Sequence, residues 1–565
     1  MNSEITGIIF QVLLVLTLSY PLGYYIAKVY KGEKTFLDFL SPLENKLFKL
    51  CKIDSNEQMN WRHFLVVLLT VNLFLFFWGM ILLVIQGILP LNPDGNIGQN
   101  VSQAFNSSIS FIANCNLQHY SGESGATYFT QIFVVMLFQF LAAATGMAAF
   151  AAVLKGMAAK TTKSLGNFWV YLVKSVTRIL LPLSLIVGIL LVIGGVPMTF
   201  EGKQTFTTME GRTQTVSQGP VAAIAAIKQI GTNGGGFYGA NSAHPLENPS
   251  YFTNIVECVS IILLPMALIW AIGFYLRKKK FAFSIFGVML FAYLFTVFVS
   301  VNQEMKGNPR IDKMGISQSS GSMEGKETRL GSAATAFWAM TTTATSNGSV
   351  NGMHDSTTPI SEMLMMLNMQ TNCWFGGVGV GFMNYYIFII IAVFLSGLMV
   401  GRTPEFMGKK IEAKEMKIAI IIALLHPFMI LCGTAISSYL ANSNPELASQ
   451  WLANPSFHGL SEMLYEFTSS SANNGSGLEG LGDNTNFWNI STGLVIIITR
   501  YLPIIGQIAI VGLLASKKYI PQSAGTLQTD TSTFSLMTFV VILIIAALAF
   551  FPSLTLGPIA EYLTL

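Results

Sequence analysis

Four short polar stretches recur in a chain that is otherwise dominated by apolar residues. They are Ala113-Asn114-Cys115-Asn116-Leu117-Gln118, Thr232-Asn233-Gly234-Gly235-Gly236, Thr345-Ser346-Asn347-Gly348-Ser349-Val350-Asn351 and Ser471-Ala472-Asn473-Asn474-Gly475-Ser476-Gly477. All are uncharged, and the last three carry an Asn-Gly pair. The asparagines read as matched are Asn116, Asn233, Asn347 and Asn474, about 115 to 125 residues apart. Glycine-rich polar backbone holds no helix. At membrane depth it persists only when buried in protein or facing an aqueous path. The chemistry open to it is to turn carbonyl oxygens on a cation in place of the cation's water. Gly234, Gly348 and Gly475 follow matched asparagines, so positive φ is expected at all three. Leu117 takes the corresponding place in the first stretch.

The elements that must position these loops are membrane helices. Apolar runs long enough to cross a bilayer fall at 6–28, 63–87, 129–153, 167–195, 251–276, 281–301, 375–400, 417–440, 489–515 and 534–556. A helix-forming segment precedes each loop: Val101–Ala113, Pro220–Ile230, Ser332–Thr343 and Gly459–Thr468. The predicted fold is an all-α polytopic membrane protein. It has about ten transmembrane helices in four fused helix–pore-loop–helix repeats around a pseudo-fourfold axis, as in a potassium-channel pore made from one chain. The loops lack the Thr-Val-Gly-Tyr-Gly run of channel filters. The expected divisions are 1–62 (N-terminal extra helix and connection), 63–153, 154–276, 277–400 and 401–515 (pore repeats one to four), and 516–565 (C-terminal extra helix).

Basic residues cluster in alternate loops, among them Arg277-Lys278-Lys279-Lys280 and Lys517-Lys518, whereas 88–128 and 441–488 contain no Lys or Arg. By the positive-inside rule the clustered loops face the cytoplasm, and both termini and all four polar loops face outward. The loop 302–331, with Lys306, Arg310, Lys313, Lys326 and Arg329, departs from this pattern. The first apolar run lacks a basic leader and reads as a retained helix.

The 565 residues carry a net charge of only +4, so nothing points to a nucleic-acid partner. The five cysteines show no metal-binding or paired spacing and read as reduced packing residues. Gly376-Gly377-Val378-Gly379-Val380-Gly381 weakens the seventh span near its start, either to let helices pack closely or to make a break that gates conduction. Arg500, flanked by apolar turns, is expected to act beneath the loops, and Arg402 either does the same or snorkels to the interface. Glu257, Lys174 and Arg178 lie nearer to span ends and read as structural. His244 and His354 read as hydrogen-bonding braces. A catalytic His354–Asp355 pair is the alternative, but no activated nucleophile accompanies it. No phosphate-binding Gly-x-x-x-x-Gly-Lys-[Ser/Thr] loop and no Asp-Lys-Thr-Gly run occurs, so ATP-driven transport would need another polypeptide.

The runs GTNGGGFYGANSAHPLENP (231–249), NGMHDS (351–356), FGGVGVG (375–381), GRTPEFMGKKIEAKEMK (401–417) and TSSSANNGSGLEGL (468–481) carry a resemblance over the whole chain. The sequence resembles the potassium-binding A subunits of bacterial Kdp potassium pumps. The resemblance implies a filter that takes potassium from outside, with no cofactor beyond bound potassium. It also implies a bacterial plasma-membrane location among lipids, and three partners: a P-type ATPase catalytic subunit, a single-span accessory subunit and a small one-helix subunit. Ions would leave sideways into the ATPase subunit. Carried over, the filter comprises Asn114, Cys115 and Asn116; Thr232, Asn233 and Gly234; Ser346, Asn347 and Gly348; and Asn473, Asn474 and Gly475. Gln118, Asn372, Arg402 and Arg500 match positions near the filter and its gating coil. Cys115 stands where threonine is usual, and Asn372 where the family carries glutamate. The nearest rival is a Trk/Ktr-type potassium transporter.

Overall fold

A computed structural model describes residues 3–399, 401, 403–521 and 528–565. The apolar runs fold into ten helices long enough to cross a bilayer among the described residues. They are Ser3–Lys31, Trp61–Ile88, Tyr128–Ala158, Phe168–Ile193, Tyr251–Tyr275, Lys279–Lys313, Val380–Met399, Ala413–Ser443, Asn486–Ser516 and Ser532–Thr564. Each matches an expected span. The seventh differs in its start: the helix begins at Val380, not at 375, because the glycine run stays out of it. A separate helix, Pro359–Thr371, precedes the break. The chain between the two turns through positive φ at Asn372, Phe375, Gly376 and Gly379.

Four pore helices, Val101–Ile112, Val221–Ile230, Ser332–Ala344 and Phe457–Ala472, fill the centre. All thirteen residues of the third are buried, although five are Ser or Thr. Such a helix is stable only when surrounded by protein. The hydroxyls of Thr341, Thr343 and Thr345 bond back to their own helix carbonyls, which lowers the cost of burying them. The third and fifth spans are mostly buried against this core, whereas the first and eighth turn most of their surface outward.

Two features outside the core were not expected. The connection after the fourth span carries a small antiparallel hairpin, Gln204–Thr207 with Thr213–Val216. Two of the five basic residues of 302–331 have internal partners: Lys326 pairs with buried Glu304 at 3.0 Å, and Arg329 donates to the carbonyls of Asn248 and Ala243. The charge of these two is used within the fold, which accounts for part of the loop's departure from the charge pattern of the others. Arg178 pairs with Asp38 and Glu44 and fastens the 29–62 connection, in keeping with its structural reading.

Candidate functional site

Each pore helix ends in the same backbone device. One residue beyond the last turn takes the left-handed conformation: Asn114 (φ 61°), Thr232 (47°), Ser346 (50°) and Asn473 (52°). The next residue donates its N–H back to the carbonyl five positions earlier: Cys115 to Ser110 (3.0 Å), Asn233 to Lys228 (2.9 Å), Asn347 to Thr342 (3.0 Å) and Asn474 to Ser469 (2.9 Å). This is the Schellman arrangement, which is usually built on glycine. Left-handed backbone costs a non-glycine residue about 1–2 kcal/mol, so four such residues at one level mean that the surrounding structure imposes the shape.

These bonds correct the register of the first loop. Cys115, not Asn116, corresponds to Asn233, Asn347 and Asn474. Asn116, not Leu117, corresponds to the glycine position, and its φ is 61°. Leu117 is simply buried. The expectation of positive φ holds at Gly234 (110°) and Gly475 (104°) but fails at Gly348, which is absent from the left-handed set. Gly348 answers to space instead: a β-carbon there would lie 2.6 Å from the Gly475 carbonyl carbon.

The loops close on one another. A β-carbon at Gly234 would run into Gly348, one at Gly475 would run into the Cys115 carbonyl, and one at Gly235 would sit 2.7 Å from the Asn116 oxygen. The order of contact is therefore two, three, four, one and back to two. Side chains reinforce it. Asn114 Nδ2 donates to the carbonyl of Thr232 (2.9 Å), and Asn474 Nδ2 donates to those of Thr342 and Asn347 (3.0 Å each). Asn347 Nδ2 reaches Gln229 Oε1 at 3.3 Å. Among the described residues, no backbone N–H outside the helices reaches the carbonyls of Asn114, Cys115, Ser346, Asn473 or Asn474, all in buried residues. Buried carbonyls without a donor are costly and call for another partner. The C-terminal, negative ends of four helix dipoles converge at the same level.

Beneath the ring lies a cavity of about 70 Å³, lined above by Asn114, Ser346 and Asn473 and at its side by Asn372 and Arg500. That is room for several waters. Arg500 is buried, and its Nη2 has no hydrogen-bond partner. Asn372 joins loops three and four: its Oδ1 accepts from Ser346 Oγ (2.9 Å) and its Nδ2 donates to Ala472 O (3.3 Å). The glycine break runs close by, where Val378 N donates to Thr232 Oγ1 at 3.0 Å. Gln118 lies elsewhere than beneath the ring. Its amide exchanges two bonds with the Gly236 backbone, tying loop one to loop two. Arg402 lies outside the described residues.

The braces behind the loops were largely missed in sequence. Lys228 forms a buried ion pair with Glu247 and donates to Asn241 Oδ1 and Ser242 Oγ (2.8 Å each). Glu257, read as structural, accepts from Gln229 (2.7 Å) and Ser242 (2.7 Å) in this network behind the second loop. A lysine in the apolar run Val221–Ile230 was the available signal. Behind the first loop, buried His119 meets Asn489 Oδ1 at 2.7 Å and Glu466 Oε1 at 3.1 Å. Burial opposes a charge on His119, but the Asp483 and Glu466 carboxylates outweigh it and raise its pKa to about 9. His354 does brace: its Nδ1 meets Tyr465 Oη at 2.9 Å. Burial, with repulsion from Lys326, lowers its pKa to about 3. Asp355 turns away from it to His458, so the two form no catalytic pair. His244 stacks on Tyr238.

Ten spans around four re-entrant helices, with a closed ring of loops at their ends, define a membrane protein of the pore-loop class. Residues 9–563 match the family described as potassium-transporting ATPase A subunit, and the chain belongs to that family. It is 67% identical to the potassium-transporting ATPase potassium-binding subunit of Phocaeicola vulgatus over the full length of both chains. It is 46% identical to that of Geobacillus kaustophilus over 98% of each. Among solved structures it resembles the potassium transporter TrkH from Vibrio parahaemolyticus (TM-score 0.53, 14% identity, 88% of this chain and 96% of that one), a likeness of fold alone.

Proposed function

We propose that this chain is the potassium-selecting and potassium-translocating subunit of an ATP-driven importer, with ATP hydrolysis performed by a partner. The observation that carries the reading is the closed ring of four left-handed loop starts with buried, donor-poor carbonyls at the negative ends of four helices. Potassium sheds water on entering and regains oxygen ligands from Asn114, Cys115 and Asn116, Thr232 to Gly234, Ser346 to Gly348, and Asn473 to Gly475. The cavity below receives it, and Arg500 sets a positive barrier there that restrains passive flow. Asn372 and the 376–381 break link the ring to that cavity and serve as its gate. The family and the names of the relatives support an ATPase catalytic subunit as partner. The single-span and one-helix subunits, the plasma membrane of a bacterium, outward termini and the repeat boundaries 63–153, 154–276, 277–400 and 401–515 belong to the same proposal.

The test is binding and hydrolysis on the purified chain. It is expected to bind potassium and to hydrolyse no ATP. Potassium-stimulated hydrolysis by the chain alone, or cellular uptake that persists without the partner ATPase, contradicts the reading.

A further inference from the structure

Apart from the ring, one cluster of side chains has more acid than the fold uses. His458 begins the fourth pore helix, and its Nε2 lies 2.9 Å from Asp355 Oδ1, on the segment after the third loop. Its Nδ1 lies 3.0 Å from Glu561 Oε2 on the C-terminal helix and 3.8 Å from Glu362 Oε2. Glu462, one helical turn after His458, brings a carboxylate oxygen within 4.8 Å of both the Asp355 and the His458 ligand atoms. Among the described residues no Lys or Arg pairs with these four carboxylates, so one imidazole faces all of them.

Glu462 marks a missing partner. Its residue is fully buried, and neither carboxylate oxygen accepts a hydrogen bond of ordinary geometry. A buried carboxylate left in that state is expensive unless it is paired or bound to a metal. The space beside it is held open by Gly480, where a β-carbon would run into Glu462 Oε1 and lie 3.0 Å from Asp355 Oδ1. The other side of the imidazole has the arrangement of a metal ligand's support. With the proton on Nδ1 directed at Glu561, the Nε2 lone pair faces Asp355 and Glu462.

We propose that Asp355, His458 and Glu462 form a binding site for one divalent transition-metal cation at the face where the pore helices enter. One imidazole nitrogen, two carboxylate oxygens and a water suit tetrahedral zinc better than calcium, which takes more oxygens and no imidazole. Glu561 orients the imidazole from outside the ligand set. The bound cation cross-links the start of the fourth pore helix to the segment that leaves the third loop. It therefore braces the entrance of the ring without being part of it.

The test uses the full chain in its purified complex, stripped with chelator and titrated with zinc. Calorimetry and elemental analysis give the stoichiometry, and thermal unfolding gives the stabilisation. One zinc per chain and a higher unfolding temperature are expected. Glu462→Gln and Asp355→Asn are each expected to weaken zinc binding at least tenfold while potassium binding stays unchanged. If Glu462→Gln does not assemble, Asp355→Asn at the edge of the cluster decides. Absence of stoichiometric zinc in the wild type, or zinc affinity unchanged in the assembled variants, overturns the proposal. In that case His458 is an imidazolium held by carboxylates and nothing more.

Discussion

The first and second loops reach one backbone shape by different means. Both leave their pore helices through a left-handed residue, Asn114 or Thr232, and both return an N–H to the helix from the next position. The second then uses glycine where the first uses Asn116, whose side-chain amide has no hydrogen-bond partner at either atom. Behind the second loop stands a buried lysine with Glu247, whereas behind the first stands His119 with Glu466. The fourfold symmetry is thus a property of the backbone and of the helix ends. The side chains that hold it are free to differ, provided each loop has a firm brace.

The largest effect expected is at the second brace. Lys228→Met leaves Glu247 buried and unpaired, which costs about 3–5 kcal/mol. Thermal unfolding of the purified complex should report it, and adding Glu247→Gln should restore much of the loss. His119→Gln, at the first brace, keeps a donor and should cost less, about 1–3 kcal/mol. Equal losses at the two sites would remove the distinction between them.

A smaller effect separates the histidines by pH. His119 has a folded pKa near 9, above the ordinary 6.5, so its contribution is fully present below about pH 6.5 and is lost as pH rises through 9. His354 has a folded pKa near 3, so its contribution is present above about pH 6.5 and fades as pH falls toward 3. Unfolding temperatures measured from pH 5 to 9.5 should lose their alkaline decline in His119→Gln and part of their acid decline in His354→Gln. The opposite assignment of slopes would contradict both environments.

The smallest single effect, at Asn116, tests the corrected register by its contrast with the neighbouring Leu117. Asn116→Gly relieves a left-handed asparagine and should leave stability unchanged or raise it by up to about 1 kcal/mol. Leu117→Ala empties a buried site and should cost about 2–5 kcal/mol. Tolerance at Leu117 with damage at Asn116 would restore the register read from the asparagines alone.

That register shows what the sequence can and cannot convey. Apolar length is a strong signal, so the ten spans and the four pore helices were legible, although the sixth and tenth spans run past their expected ends, to Lys313 and Thr564. The glycine run was legible as a break, but not the separate helix Pro359–Thr371 before it, because helix propensity alone does not say where a polar segment re-enters the protein. Asparagine was a poor ruler. It occupies the first, second or third place of different loops, and only the hydrogen bonds to the helix ends reveal which place is which. Gly348 could not be distinguished from Gly234, because a glycine kept for space looks the same in sequence as one kept for φ. The braces at Lys228, Glu257 and His119 pair residues that are near in space but not in sequence, so beyond the lone lysine in an apolar run no local pattern announced their partners.

The central claim is that the ring coordinates potassium, and competitive binding of potassium, rubidium and sodium to the wild type, Gly234→Ala and Gly475→Ala tests it most directly. Both substitutions place a β-carbon against the next loop at a φ above 100°. The account predicts at least tenfold weaker potassium binding and reduced discrimination against sodium in each variant, with the complex still assembled. Wild-type affinity and wild-type selectivity in both assembled variants would contradict it.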